Sequence, residues 1–217
     1  KVMEELAYGW TSLPCFLNSH ASASSILAKY GTAAQKQAFL PRMATGELRV
    51  AIALTEPGGG SDLQAIRTVA TPDGHGGYRL RGGKIFITNG ARAGAVLVLA
   101  RTGEGRNGIS LFLLEKGRAG FSVGGLASTM AHRHIDVAQL HFDDVALGRA
   151  DLVGEVQGQG LAQMLDGFAL AHHQHAVGQA DHLGQLGRDD DDRVPGLGEP
   201  LDQRVDLRLG ADVDAAR

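Results

Sequence analysis

Ala51-Ile52-Ala53-Leu54-Thr55-Glu56-Pro57-Gly58-Gly59-Gly60-Ser61-Asp62 is the stretch on which the reading of this chain turns. An apolar run suited to a buried strand stops at Thr-Glu-Pro and opens into three glycines. Without a Cβ, glycine lets backbone pass close to a ligand and adopt φ > 0. Ser61 and Asp62 put a hydroxyl and a carboxylate at the mouth of that turn. A strand ending in exposed N–H groups beside a hydroxyl suits a flat, hydrogen-bonding cofactor or a phosphate-bearing one. The same glycines also fit a plain loop between two strands, since glycine clusters mark turns. The residues alone leave both readings open. The stretch is not a P-loop, because no Gly-Lys-Ser/Thr follows. It is not a dinucleotide fingerprint either, because the Gly-x-Gly-x-x-Gly spacing is missing.

Upstream, residues 1–48 read as helical. Leu6, Trp10 and Leu13 recur at helical spacing, as do Ile26, Leu27 and Tyr30. Gly31 sits where a helix-ending residue is expected. Thr32-Ala33-Ala34-Gln35 matches a capping box, and the helix it opens carries Ala38, Phe39 and Leu40 before Pro41. Downstream the period changes. Val50–Leu54 is one apolar run; Tyr78–Arg81, Gly82-Gly83 and Lys84–Thr88 read as strand, turn, strand. Ala95–Ala100, Ile109–Glu115, Phe121–Leu126 and Ile135–Phe142 are further strands. Short strands with glycine turns and almost no helix between them predict an antiparallel sandwich or barrel over 49–150. Helical spacing returns over 151–171 with Leu161, Met164, Leu165 and Phe168. Residues 172–217 use ten residue types, lack aromatics and include the acidic run Asp189–Asp192. That composition predicts a disordered tail. The fold class is therefore α+β: a helical N-terminal segment, a central β-domain, the start of a C-terminal helical domain and a tail.

Bulk composition narrows the function classes. A chain of 217 residues buries one good core or two small ones. A net charge of -3 gives no electrostatic case for nucleic acid or an acidic membrane. No apolar run is long enough to cross a bilayer. Lys1-Val2-Met3-Glu4-Glu5-Leu6 has no signal-peptide pattern and reads as the middle of a helical pattern in a longer gene product. Cys15 is the only cysteine, which fits a reducing, cytoplasmic setting and predicts a small buried apolar residue.

Several blocks together resemble the acyl-CoA dehydrogenase family of flavoproteins. They are Tyr30-Gly31-Thr32, Gln35-Lys36-Gln37, Leu40-Pro41 and Gly46-Glu47, then the Thr55–Asp62 block, then Lys84-Ile85-Phe86-Ile87-Thr88-Asn89-Gly90. Phe142-Asp143-Asp144-Val145 and Leu152-Val153-Gly154-Glu155 with Gly158-Gln159-Gly160 follow in the family's order. The resemblance covers roughly residues 1–171. It implies FAD held between the β-domain and a C-terminal four-helix bundle, and α,β-dehydrogenation of an acyl-CoA thioester. A carboxylate base removes the α-proton, a β-hydride passes to the flavin, and electrons leave through an electron-transferring flavoprotein. It also implies a homotetramer formed through the bundle.

Carried over residue by residue, Ile52, Leu54 and Thr55 match the strand end that contacts the flavin ring. Fixed donors there stabilise negative charge on a reduced ring. Gly60 and Ser61 match positions at the flavin and the CoA arm, with Ser61 the substrate contact. Phe86 stands where the family commonly has Trp and covers a ring face; by pattern alone it reads as core. Thr88 matches a hydroxyl near the hydride-accepting atom; by pattern alone it is a strand end before a turn. The resemblance places the family's base in the C-terminal bundle near the end of the full-length chain, or in a minority of members on an earlier bundle helix just before an Arg. The earlier position falls at about Ala171, with His172 where the Arg is expected, and neither location supplies a base here. The expectation is a truncated or frameshifted family member, inactive as this chain, because losing a general base costs about 10²–10⁴-fold in rate or more. The alternatives are a non-catalytic remnant with weak or no flavin binding, and an acyl-CoA oxidase or flavin monooxygenase of the same fold. His172, His173 and His175 do not share one helix face, and Asp189–Asp192 lacks a calcium loop's glycine and terminal Glu. No metal site is expected. His132-Arg133-His134 reads either as a surface loop or as a contact to a phosphate, and His20 as a packed or surface residue.

Overall fold

A computed structural model of the chain describes residues 1–130, 132–154, 157–160 and 162–164. Three helices come first: α1 (Val2–Gly9), α2 (Ser12–Tyr30) and α3 (Ala33–Ala44). The α2–α3 junction follows from three residues. Gly31 ends α2 in extended backbone with φ −60°. A Cβ on it would lie 2.6 Å from Leu27 O, so the glycine answers a need for space, not for positive φ. Thr32 Oγ1 then accepts from Gln35 N–H (3.2 Å), and Gln35 Oε1 accepts from Thr32 N–H (3.0 Å), the predicted capping box. The Gln35 amide donates onward to Ala150 O and Leu152 O, both at 2.8 Å, tying the start of α3 to the far end of the β-domain. α3 runs through Pro41 to Ala44. So close to the helix end, the missing proline N–H removes one bond and does not break the helix.

Seven strands follow among the described residues: β1 (Val50–Ala53), β2 (Val69–Pro72), β3 (Tyr78–Thr88), β4 (Ala95–Arg101), β5 (Ile109–Glu115), β6 (Phe121–Leu126) and β7 (Val137–Leu147). Their order is β1-β4-β2-β3-β7-β6, with β5 on the other side of β4. Most pairings are antiparallel, as expected of the β-domain. β1 runs parallel to β4, from Val50↔Ala95 to Ala53↔Val98, and β2 touches β4 in parallel at Val69↔Arg101. The sheet is thus mixed. It curls, because inner side chains of β1, β4 and β5 share one core with those of β3 and β7.

β4 and β5 are buried on both faces, which explains their unbroken apolar runs. Val96, Val98, Phe112 and Leu114 point into the curl. Leu97, Leu99, Leu111 and Leu113 point the other way, onto Ile26 and Leu27 of α2 and Met43 of α3. The helices therefore pack on the outer face of the half-barrel. Burying such a side chain contributes about 1.5–3 kcal/mol. Met164, in the last described stretch, joins the helix-side core.

Two expectations change. Gly82-Gly83 is no turn: β3 passes straight through it, with the register shifting between Leu80 and Gly82. Gly82 has φ 135°, and a Cβ there would sit 2.8 Å from Thr68 Cα, so a bulge replaces the turn. The strand expected over 135–142 begins at Val137 and continues to Leu147. The histidines at 172, 173 and 175, the acidic run, the tail, and the positions 171 and 172 lie outside the described residues. No helix among the described residues is long and apolar enough to cross a membrane.

Candidate functional site: a strand edge beside a groove

Among the described residues, β1 ends the strand path and pairs only with β4. Ala95 N–H donates to Arg49 O, so the odd-numbered residues of β1 face β4. Alternation along a strand turns the N–H and C=O groups of the even-numbered residues to the opposite edge. Two side chains mark the limits of that edge. Val50 N–H donates to His20 Nδ1 (3.2 Å), and Leu54 O accepts from Lys84 Nζ (2.9 Å). The His20 tautomer follows: Nδ1 accepts, so Nε2 carries the hydrogen and donates to Met43 O (3.0 Å). Just before Lys84, the edge presents Ile52 N–H, Ile52 C=O and Leu54 N–H: donor, acceptor, donor.

Beside this edge opens a groove of about 160 Å³. Its lining comes from the end of β1 (Ile52, Leu54, Thr55), the end of β3 (Phe86, Ile87, Thr88) and α2 (Asn18, Ser19). Five of the seven residues singled out in the sequence therefore surround one groove. Gly60 stands against Thr55: a Cβ on it would come within 3.1 Å of Thr55 Cγ2. Ser61 is exposed on the loop, outside the lining. Asn18 and Ser19 were not anticipated, because nothing in α2 distinguishes them from other polar helix positions.

Phe86 corrects its core reading. It sits where the β3–β7 register shifts between Lys84 and Ile87, with φ 56°, and is 62% exposed. A bulky residue in the left-handed region costs about 1–2 kcal/mol. Such strain persists only where the surroundings impose it. Here the bulge turns an aromatic ring out over the groove. Thr88 ends β3, as its pattern predicts, and it lines the groove. The turn after it is pinned from several sides. Asn89 N–H donates to Asp136 O and its amide to Phe16 O, both at 2.9 Å. The Asp136 carboxylate accepts from Ala91 N–H (2.6 Å), and Lys116 Nζ donates to Gly90 O and Ala91 O. Burial pushes the Lys116 ammonium below its ordinary range, with Asp136 opposing.

Behind the groove lies a buried ion pair. Lys84 is 0% exposed and Glu56 7%. Lys84 Nζ lies 2.8 Å from Glu56 Oε1, and the same carboxylate accepts Thr68 N–H (2.9 Å) and Arg67 N–H (2.6 Å). Ile85 N–H donates to Thr55 O (2.9 Å) alongside. Burial alone would raise the Glu56 carboxyl, but the hydrogen bonds from Lys84, Thr68 and Arg67 outweigh it and hold it below the ordinary carboxylate range. Burial likewise depresses the Lys84 ammonium against the raising pull of Glu56. Glu56 thus does more than balance charge. It joins the end of β1, the chain entering β2, and β3.

The loop at 132–134 packs against the helices. His132 Nδ1 lies 3.2 Å from Ser12 Oγ, and its Nε2 lies 3.9 Å from Cys15 Sγ. Cys15 is half-buried beside an imidazole instead of sealed in a core. His134 meets Trp10 edge-on at 5.4 Å. Among the described residues no group of His, Cys, Asp or Glu is arranged to hold a metal ion.

The groove can receive a flat ring. Ile52 and Leu54 give an apolar floor, Phe86 an aromatic face, and Thr55 and Thr88 two hydroxyls. The donor–acceptor–donor order on β1 complements the acceptor–donor–acceptor edge of a cyclic imide, such as the pyrimidine ring of a flavin. These features define a class: a helix-backed β-domain with a strand edge and an outward aromatic ring beside one groove. The chain matches the family models described as acyl-CoA dehydrogenase, N-terminal domain, over residues 1–47, and acyl-CoA dehydrogenase, middle domain, over residues 51–145. It belongs to the acyl-CoA dehydrogenase family. It is 43% identical over 156 residues to the mitochondrial long-chain specific acyl-CoA dehydrogenase of Rattus norvegicus, covering 70% of this chain and 36% of that protein. It superposes on the crystal structure of acyl-CoA dehydrogenase from Geobacillus kaustophilus with TM-score 0.72 and 36% identity, over 76% of this chain and 44% of that one. The FAD complex of PigA is similar too, with TM-score 0.69 and 33% identity, over 72% of this chain and 41% of that one. The chain spans less than half the length of each of these relatives.

Proposed function

We propose that this chain supplies one wall of an FAD site used for α,β-dehydrogenation of an acyl-CoA thioester. The observation that carries the reading is the open β1 edge, with its donor–acceptor–donor set, beside the outward ring of Phe86. Ile52 and Leu54 would hold the imide edge of the ring through their peptide groups. Thr55 and Thr88 would offer hydroxyls to its ring atoms, and Phe86 would cover one face. Gly60 leaves room beside Thr55, and the exposed Ser61 is free to meet the CoA arm of the substrate. When bound, FAD supplies the acceptor for a hydride; an electron-transferring flavoprotein is the class of partner that re-oxidises it. The family resemblance and the FAD-bound relative support this assignment.

With Ala171 and His172 at the positions where a minority of the family carries a base and an arginine, and with no match to the later bundle position that most members use, the chain is expected to bind flavin without turning over acyl-CoA. The test is direct. Purified protein should be yellow, or should turn yellow on titration with FAD. A colourless protein that FAD cannot titrate removes the cofactor assignment. Butyryl-, octanoyl- and isovaleryl-CoA should give no turnover with an artificial electron acceptor, and turnover with any of them overturns the inactivity.

A further inference from the structure

Lys84 is an odd residue to find fully buried. A lone ammonium in an apolar interior is costly, and the hydrophobic cluster inside this curled sheet is built from Ala, Val, Leu, Ile, Phe and Tyr. Glu56 offsets part of that cost, yet an apolar pair of similar volume often does as well or better for stability. The geometry indicates what the charge does. Lys84 Nζ has two acceptors, Glu56 Oε1 at 2.8 Å and the main-chain oxygen of Leu54 at 2.9 Å. The second is the last outward-facing group of the β1 edge. Glu56 is itself anchored by Arg67 N–H and Thr68 N–H, so the ammonium is held on a fixed mount.

We propose that Lys84 is a positioning residue for the groove: held by Glu56, it closes the Leu54 end of the β1 edge and fixes Ile52 and Leu54 in register to pair with an imide-bearing ring. This rests on the flavin reading given above. The peptide plane supplies the mechanism. Clamping the Leu54 carbonyl fixes the plane of the Leu54–Thr55 peptide, and so restricts the Leu54 φ and ψ rotations through which the Leu54 N–H would swing off the edge. His20 does the same at Val50, so the pairing groups lie between two fixed points.

The test removes both charges together, with Lys84→Met and Glu56→Gln in one protein, so that neither is left buried alone. Its ligands are lumiflavin and 3-methyllumiflavin, in which a methyl group replaces the imide hydrogen and removes the donor. Wild-type protein should bind lumiflavin about tenfold more tightly, the worth of one well-placed hydrogen bond. The double variant, still folded by circular dichroism, should lose that preference. A loss of general stability alone would weaken both ligands equally, so a retained tenfold preference overturns the proposal. Equal binding of the two ligands by wild type instead removes the flavin reading. In that event amide exchange without ligand still decides on Lys84. The double variant should exchange Ile52 and Leu54 amides faster while Val96 to Ala100 stay unchanged, and no difference at 52 and 54 overturns the proposal. Should the double variant not fold, a through-hydrogen-bond coupling between Lys84 Nζ and the Leu54 carbonyl in wild type takes its place: its presence supports the clamp and its absence overturns it.

Discussion

The β4–β5 hairpin and β3 lie in one sheet but obey different rules. β4 and β5 pair without a break from Ala95↔Glu115 to Arg101↔Ile109, and every residue but the last of each strand is buried. β3 pairs with β7 through two register shifts. It carries a glycine and a phenylalanine at positive φ, hides a lysine and exposes an aromatic ring. Each of those features goes against local preference, and all lie within the eleven residues of β3. Departures from local rules concentrate where a protein serves something other than its own stability. The hairpin holds the sheet together; β3 shapes the groove.

The contrast can be broken or sharpened by substitution. The largest effect is expected at Phe112, fully buried on β5. Phe112→Ala should cost about 3–5 kcal/mol in chemical denaturation, and a much smaller loss would mean that the hairpin is not the main support. Next comes Glu56→Gln, which leaves the Lys84 charge without its counterion and should cost about 3 kcal/mol at neutral pH. Its pH signature has a definite sign. The fold holds the Glu56 carboxyl below its ordinary value of 4.5. Its contribution is therefore complete above that value and drains away as pH falls through the lower, folded one. Melting temperatures of wild type and Glu56→Gln should converge on acidification. Parallel curves would show that the carboxylate does not brace β3. Thr32→Ala, remote from both regions, should cost about 1 kcal/mol through the lost helix cap and leave flavin titration unchanged. The smallest effect on stability is expected at Phe86. Because its ring is mostly exposed, Phe86→Ala should move stability by less than about 0.5 kcal/mol while weakening FAD binding about tenfold, the worth of an aromatic face. A large stability loss there would place Phe86 with the hairpin residues instead.

The same contrast governs what could be read in advance. The apolar runs of β4 and β5 and the Thr32–Gln35 box were legible because burial and capping depend on nearby residues. The block at 51–62 pointed to a strand end with a glycine loop, and the groove is found there. β2 went unseen because Val69-Ala70-Thr71-Pro72 is short and ends in proline. The parallel pairing of β1 with β4 leaves no mark in spacing, since strand direction is settled by the connection and not by either strand. Gly82-Gly83 looked like a turn because glycine signals tight turns and bulges alike. Lys84 was noticed only as part of a motif. Its burial depends on Glu56, 28 residues away, and on an oxygen of the main chain that has no letter in the sequence.

Gln35 ties the helices to the end of the β-domain across 117 residues of chain. At a synthesis rate of about 5–20 residues per second, roughly 6–23 s separate the appearance of that glutamine from the arrival of Leu152. During this interval α3 has its cap, but the amide has no carbonyl to grip, and the apolar faces of α2 and α3 await strands not yet made. The helices described here are thus made before the strands that cover them, and for those seconds their apolar faces are exposed to chaperones.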